Sequence, residues 1–289
     1  MIRISIVVPV YNEEKGLNLT IQKLETLLGN PVYEFDVIFV NDGSTDGSAA
    51  ILDAIKHSKI RVIHHTCNRG YGASLKTGIG ESLSPYICIV DADGTYPLEE
   101  IVNLSNSIEF GYSMIVGARV GEDVKIPLIR KFPKWLLGKL ANYLTCVNIP
   151  DINSGLRVMK KDDVLRFARI LPDGFSFTTT ITLAMLTNNY SVIFVPINYH
   201  QRKGKSKIRP IYDTLNFIQL IIRTCLYFDP LRIFIPFTFL LTILAFLVLV
   251  ISYFVFGRVM DVTFGIILMT AVTVGAIGML ADLIDKRLG

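Results

Sequence analysis

The stretch from Tyr86 to Gly94 constrains the fold most strongly, because an apolar run leads directly into two carboxylates and a glycine. A short apolar run bounded by turn residues is typical of a strand buried on both faces of a parallel sheet. Ligands of open α/β sheets bind beyond the carboxyl ends of the strands, where Asp91 and Asp93 would lie on either side of the small Ala92. Carboxylates suit Mg²⁺ or Mn²⁺ on a diphosphate, although a turn that caps the next helix has the same sequence.

Apolar strand patterns and helical patterns alternate in the first half of the chain. The predicted strands before Tyr86 are Ile4–Val10, Phe35–Val40 and Arg61–His65, and the predicted helices run from about Glu13 to Leu28, from Ser48 to His57 and from near Gly70. This alternation predicts an α/β fold with a mostly parallel, doubly wound sheet. The polar residues Tyr11, Glu13 and Asp42 follow their strands and would therefore meet the two aspartates at one edge.

A dinucleotide-binding site is the obvious competitor for such a sheet. The nearest approach to its glycine fingerprint is Gly70-Tyr71-Gly72, which lacks the third glycine and follows the third strand instead of the first. The sequence therefore argues against a dinucleotide-binding site.

A formal net charge of +4 gives no indication of a nucleic-acid partner. The four cysteines have no metal-ligand spacing, so neither a zinc site nor a disulfide framework is expected.

Six motifs follow one another along the chain: Pro9-Val10-Tyr11-Asn12-Glu13, Val40-Asn41-Asp42-Gly43-Ser44, Asn68-Arg69-Gly70-Tyr71-Gly72, Asp91-Ala92-Asp93, Val116-Gly117-Ala118-Arg119 and Asp151-Ile152-Asn153-Ser154-Gly155-Leu156-Arg157. Together and in this order they resemble family 2 glycosyltransferases, within them the dolichyl-phosphate mannose synthase and polyprenyl-phosphate glycosyltransferase branch. The resemblance covers residues 1–208 and implies a glycosyltransferase-A domain. It also implies a nucleotide-sugar donor of the GDP-mannose or UDP-glucose type, a divalent metal, and a polyprenyl phosphate acceptor.

The resemblance assigns roles to particular residues. Asp91 and Asp93 are expected to hold the metal, and Asp93, Arg119, Arg202 and Lys207 to act in catalysis. The residues expected to bind the nucleotide sugar are Pro9, Tyr11, Glu13, Val40, Asp42, Lys76, Asp91, Ala92, Asp93, Arg119, Arg202 and Lys207. An acceptor phosphate would meet Arg130, Lys131, Ser154 and Arg157, although Arg157 would also suit an ion pair with a carboxylate.

One position departs from the mannose-transferring subgroup, where an amide residue often follows the second aspartate by two positions. This chain has Thr95 there, which weakens the case for a third metal ligand and for mannose as the sugar. A processive polysaccharide synthase is disfavoured because the single tryptophan, Trp135, lies outside a Gln-x-x-Arg-Trp element. A saccharide or protein acceptor, and a non-catalytic membrane partner, stay open as alternatives.

The C-terminal part of the chain predicts a membrane hairpin. Residues 232–257 and 262–282 are almost wholly apolar and long enough to span a bilayer, and residues 209–229 have the pattern of an interfacial helix. Basic residues before the first span and at Lys286-Arg287 predict that the catalytic domain and the C-terminus are cytoplasmic. We therefore expect three parts, 1–208, 209–229 and 230–289, in a cell membrane or an endoplasmic reticulum-type membrane. Membrane lipids would be partners, and homo-oligomers through the spans are a further expectation.

Overall fold

The computed structural model describes residues 1–119, 138–174, 176–198, 218–219, 221–224, 226–227, 229–257 and 260–288. The chain divides into two compact units, Met1–Phe217 and Ile218–Gly289. The boundary predicted near residue 208 lies outside the described residues, and so does most of the predicted interfacial helix. Both stay predictions.

A seven-stranded sheet forms the centre of the first unit. Its strands are β1 (Ile2–Val10), β2 (Tyr33–Asn41), β3 (Ile60–His64), β4 (Tyr86–Ile89), β5 (Met114–Arg119), β6 (Arg157–Lys160) and β7 (Val192–Ile197). Their order is β3-β2-β1-β4-β6-β5-β7. Strand β6 is antiparallel to β4 and β5, and the other pairs are parallel. The predicted mostly parallel α/β sheet is confirmed.

The helices of the first unit follow the strands and cover the sheet. They are α1 (Glu14–Leu27), α2 (Ser48–Asp53), α3 (Tyr71–Glu81), α4 (Glu100–Asn106), the described part of α5 (138–145), α6 (Lys161–Arg166) and α7 (Phe177–Thr187), with a 3₁₀ turn at Ser107–Phe110. Helix α1 turns Leu17, Ile21 and Leu24 towards the core, which is the apolar stripe that its sequence predicts. Helix α2 ends at Asp53, four residues before the predicted end.

Strand β1 lies inside the sheet, and apolar side chains are buried on both of its faces. Ile4, Ile6, Val8 and Val10 are fully buried in the main core cluster, and Val7 is fully buried as well. Its neighbours are β2 and β4, whose carboxyl ends carry the Asp42 and Asp91 motifs. Three motif-bearing strands therefore lie side by side, so that their following loops share one edge of the sheet.

The second unit contains two long apolar helices, Leu231–Phe256 and Asp261–Leu288. Over the 25 residues from Leu231 and the 24 from Asp261, mean hydropathy is 2.8 and 2.2, so both helices are long and apolar enough to cross a membrane. They pack on each other through small residues: Gly278 lies against Phe234, and an added Cβ at Gly275 would lie 3.4 Å from the Thr238 side chain. The predicted pair of apolar helices is therefore present.

Candidate active site

Asp91 and Asp93 lie just beyond β4, and each accepts a hydrogen bond from a hydroxyl group. The Tyr71 hydroxyl donates to Asp91 Oδ1 at 2.9 Å. The Thr95 hydroxyl donates to Asp93 Oδ1 at 2.6 Å, and the Thr95 backbone N–H donates to the same oxygen at 3.1 Å. Both aspartates are partly exposed, whereas Ala92 between them is buried. The two carboxylates thus lie at the edge of the sheet, and the hydroxyls of Tyr71 and Thr95 orient them.

Helix α1 packs against the backbone of this aspartate pair. The Thr20 hydroxyl donates to the Ala92 carbonyl oxygen at 3.0 Å. A Cβ atom at Gly16 would lie 3.6 Å from the Asp93 carbonyl oxygen, so the first turn of α1 lies beside that peptide. Helix α1 therefore holds the backbone of the loop after β4, in addition to the hydrogen bonds that hold the aspartate side chains.

Asp42 follows β2, and its carboxylate is occupied by hydrogen bonds within the protein. Its Oδ1 accepts the backbone N–H of Arg69 at 2.9 Å and contacts His65 Nδ1 at 2.7 Å, and its Oδ2 accepts the N–H of Gly70 at 2.8 Å. The residue is only 3% exposed. These contacts shape the loop that leads into α3. The expected contact between Asp42 and a nucleoside stays a prediction.

The remaining residues predicted for the nucleotide lie on the same edge or near it. Pro9 and Val40 pair in register near the carboxyl ends of β1 and β2. Tyr11 is 39% exposed. Glu13 precedes α1, and its backbone N–H donates a hydrogen bond to the Ser48 hydroxyl oxygen at 3.0 Å. Lys76 on α3 forms an ion pair with Asp173 at 2.8 Å. The lysine therefore has a protein partner in this structure.

Arg119 ends β5 and forms a bidentate ion pair with Asp151. Its Nε and Nη2 atoms donate to the two carboxylate oxygens at 2.6 and 2.9 Å, and its backbone N–H donates to the same carboxylate at 3.1 Å. Burial would raise the pKa of Asp151, but the hydrogen bonds and charge of Arg119 outweigh it, so this pKa is below its ordinary value. The Arg119 side chain as a whole is 25% exposed.

Ser154 and Arg157 have positions that differ from their predicted role. Both residues are fully buried. The Ser154 hydroxyl donates to the Gly117 carbonyl at 2.5 Å, and Arg157 donates to the Ser154 carbonyl and, at 3.0 Å, to the Thr178 carbonyl. A phosphate in solution reaches neither group, so we do not retain them as acceptor-phosphate ligands. Burial lowers the pKa of Arg157 to about 10, which leaves it cationic at neutral pH.

The turn before β6 contacts the aspartate pair through a glycine. A Cβ atom at Gly155 would lie 2.5 Å from Asp91 Oδ2, so a side chain at this position would displace the Asp91 carboxylate. The Gly155 N–H donates to the hydroxyl oxygen of the buried Tyr96 at 2.6 Å. Burial and then the charge of Asp91 raise the pKa of Tyr96, which keeps the phenol neutral. Strand β6 thus brings the backbone of the last motif against Asp91.

Four predicted site residues lie outside the described part of the chain: Arg130, Lys131, Arg202 and Lys207. Their roles stay predictions. Sequence reasoning missed the contributions of Tyr71, Tyr96 and Asp151 to this edge. Tyr71 and Asp151 stand inside motifs that the resemblance already singled out, so their position in the motif was the available signal. No comparable signal marks Tyr96.

The donor set at this edge fits a hard divalent cation. Within the described residues no group of three or more His, Cys, Asp or Glu side chains converges, so among these residues Asp91 and Asp93 are the carboxylates that would hold the ion. Mg²⁺ and Mn²⁺ are commonly held by one or two carboxylates, with phosphate oxygens and water as the other ligands. This arrangement suits a metal that arrives with a diphosphate.

An α/β sheet with a pair of carboxylates beyond a central strand can hold a metal-bound phosphate ligand, and the comparisons with known proteins identify the family of this domain. The sequence profile of Glycosyl transferase family 2 matches residues 5–166. The match covers more than half of the chain, and the chain belongs to this family. The predicted family is therefore confirmed.

The curated relatives include enzymes that transfer sugars to lipid phosphates. The polyprenol monophosphomannose synthase of Mycolicibacterium smegmatis is 28% identical over 71% of this chain and 81% of its own length. An undecaprenyl-phosphate 4-deoxy-4-formamido-L-arabinose transferase of Pseudomonas fluorescens is 29% identical over 80% of this chain and 66% of its own length. The dolichyl-phosphate hexose transferase of Haloferax volcanii is 24% identical over 77% of this chain and 94% of its own length.

A solved structure supports the fold. Glucosyl-3-phosphoglycerate synthase from Mycobacterium tuberculosis, in complex with Mn²⁺, uridine-diphosphate-glucose and phosphoglyceric acid, superposes with a TM-score of 0.59. The match covers 77% of this chain and 79% of that one, at 18% identity. At this identity the likeness extends to the fold alone.

Proposed function

We propose that this glycosyltransferase moves a hexose-like sugar from a nucleotide diphosphate sugar to a polyprenyl phosphate at the cytoplasmic face of a membrane. The observation that carries the proposal is the pair Asp91 and Asp93 at the carboxyl edge of the sheet, in a chain that also has two helices long enough to span a bilayer. Curated relatives named for polyprenol, undecaprenyl phosphate and dolichyl phosphate support the acceptor class.

The proposed orientation follows from charge. Basic residues are concentrated before the first apolar helix and again at Lys286-Arg287, whereas the link between the helices has the single cation Arg258. Cytoplasmic segments near membrane spans carry an excess of Lys and Arg. The catalytic unit and the C-terminus are therefore proposed to be cytoplasmic, where nucleotide sugars and a lipid phosphate at the membrane surface are both within reach.

Direct displacement at the anomeric carbon, with inversion, is the proposed reaction. A phosphate monoester has a second pKa of ~6 and is largely a dianion at neutral pH, so it is a nucleophile without a protein base. Asp91 and Asp93 would hold the donor through Mg²⁺ or Mn²⁺, which when bound supplies positive charge to the leaving diphosphate. Arg119, whose side chain is 25% exposed beside Asp151, would orient phosphate, and Arg202 and Lys207 would add further charge.

Lipid product formation by the purified full chain tests this proposal. The protein in detergent would receive Mn²⁺ or Mg²⁺, a short polyprenyl phosphate, and radiolabelled UDP- and GDP-sugars one at a time. We expect one donor to give an organic-extractable labelled product, and EDTA to remove it. Asp93→Asn removes a charge from the metal pair and should lower the rate by at least about 100-fold.

Asp36→Asn is the matched control. Asp36 also accepts hydroxyl hydrogen bonds, from Ser5 at 2.7 Å and Ser84 at 3.1 Å, but it lies towards the amino end of β2, away from the candidate site. We expect this variant to keep its transfer activity. Turnover with a saccharide or protein acceptor but with no lipid phosphate would reject the acceptor, and nucleotide binding without any turnover would favour a non-catalytic membrane partner.

A further inference from the structure

Tyr71 connects the glycine-rich loop after β3 to the aspartate pair after β4. It is the first residue of α3, and its hydroxyl donates to Asp91 Oδ1 at 2.9 Å across 20 positions of sequence. A phenol is neutral at physiological pH, so this contact gives the carboxylate a direction without adding a charge to the site. A carboxylate without such a contact rotates about its Cβ–Cγ bond, because that torsion is soft.

The backbone on either side of Tyr71 is fixed. Gly70 before it has a φ of 104°, in a region that side chains disfavour, and its N–H is held by Asp42 Oδ2 at 2.8 Å. Gly72 after it donates its N–H to the Gly174 carbonyl at 3.2 Å. The backbone that carries the Tyr71 side chain is therefore held on both sides before any ligand arrives.

The Asp91 carboxylate also lies against the Gly155 backbone. The place that a Cβ of Gly155 would occupy is 2.5 Å from Asp91 Oδ2 and 2.9 Å from Oδ1, the oxygen that accepts the hydrogen bond from the Tyr71 hydroxyl. The carboxylate is thus bounded by a hydroxyl donor at Oδ1 and by a close peptide beside the whole group. These two contacts together favour one orientation of the Asp91 carboxylate about its Cβ–Cγ bond.

We propose that Tyr71 is a positioning residue that sets the orientation of Asp91 towards the divalent cation of the nucleotide-sugar complex. The inference rests on the proposed function, since it assigns a metal to Asp91. Hydrogen-bond partners that orient metal ligands typically contribute 10–100-fold to metal affinity. Tyr71 touches neither the metal nor the sugar in this scheme and acts only through Asp91.

Metal affinity measured on the full chain in detergent tests the inference. Mn²⁺ would be titrated in the presence of UDP and, separately, of GDP, and free Mn²⁺ would be followed by its electron paramagnetic resonance signal. Tyr71→Phe removes one oxygen atom and keeps the ring. We expect about tenfold weaker Mn²⁺ binding, with nucleotide binding in EDTA unchanged.

Tyr33→Phe is the matched control, because it also removes a hydroxyl that donates at 2.9 Å, here to Asn106 Oδ1. Tyr33 begins β2 and lies at the amino end of the sheet. We expect this variant to bind Mn²⁺ like the wild type, even where both variants lose similar thermal stability. A tenfold loss in Tyr71→Phe alone supports the positioning role.

Equal Mn²⁺ affinity in the wild type and in Tyr71→Phe would overturn the inference while leaving the proposed reaction intact, as judged by lipid product formation. An equal loss in Tyr71→Phe and Tyr33→Phe would overturn it too, since the effect would then follow general stability. A wild type that makes lipid product without binding Mn²⁺ or responding to EDTA would refute the metal assignment, and the positioning role with it.

Discussion

A methyl group at position 155 would collide with the carboxylate of Asp91. An ideal Cβ there lies 2.5 Å from Asp91 Oδ2 and 2.9 Å from both Cγ and Oδ1. An ordinary contact begins at 3.4 Å, so the carboxylate and the turn before β6 must separate by about 0.9 Å. Gly155 does not have a left-handed φ, so alanine is compatible with the backbone itself. The substitution Gly155→Ala therefore acts mainly by displacing Asp91.

The expected loss follows from that displacement. Misplacing a reacting group by about 1 Å costs on the order of 100-fold in rate, which corresponds to about 2.7 kcal/mol of transition-state stabilisation. We expect Gly155→Ala to lower kcat for lipid-sugar formation by about this factor. Nucleotide binding in the absence of metal should change little, because the displaced group is the carboxylate that is assigned to the metal.

The matched control is Gly80→Ala. Gly80 lies on the exposed side of α3 and has nothing within 4 Å of the added Cβ. Alanine in an exposed helix is favoured over glycine by about 1 kcal/mol, so this variant should be slightly more stable and fully active. If Gly155→Ala kept more than half of the wild-type kcat while remaining folded, Asp91 would not depend on this close contact, and the reasoning would be refuted.

Two further predictions concern the Arg119 ion pair and the apolar helices. Asp151→Asn should lower the free energy of unfolding by about 2 kcal/mol at pH 7. Arg119 holds the pKa of Asp151 in the folded protein below the ordinary 3.8. The stability that the ion pair contributes is therefore present above about pH 4, and it is lost as the pH falls through the pKa of Asp151 in the folded protein. Denaturant unfolding of wild type and variant across this range should therefore converge at acid pH, and a constant difference would contradict the prediction. Gly278→Leu should lower thermal stability in detergent because Gly278 lies against Phe234, whereas Gly265→Leu, with open space around it, should not. Equal losses in the two variants would argue against this helix contact.

The parallel part of the sheet was predictable because its strands have strong local signals. Strands β1, β2 and β4 are apolar runs that end in polar motifs, and the observed bounds of the first four strands differ from the predicted ones by a residue or two. Such runs bury both faces, so their pattern depends little on distant parts of the chain. The edge at which the motifs meet follows directly from parallel pairing.

Strand β6 lacks such a signal. It has four residues, and charged side chains stand at both of its ends, Arg157 and Lys160. Its antiparallel pairing with β4 and β5 is therefore a tertiary effect that the sequence pattern does not reveal. The resemblance implied an acceptor-phosphate role for Ser154 and Arg157, and it did not indicate that both side chains are buried. Burial of the arginine depends on carbonyl acceptors such as that of Thr178, which no local sequence pattern predicts.

The motif residues of this site form two groups. Asp91 and Asp93 are partly exposed, whereas Asp42 and Arg157 are buried and support the loops around them. Asp42 binds the loop that carries Tyr71, and Arg157 binds the carbonyl of the residue before Gly155, so each lies one step away from Asp91. A substitution in either residue would therefore lower activity through the orientation of Asp91, in addition to any loss of the nucleoside contact that is predicted for Asp42. Such a loss should appear mainly in kcat and in metal affinity, because orientation is required most in the transition state. A loss confined to KM for the donor would instead indicate direct contact with the nucleotide.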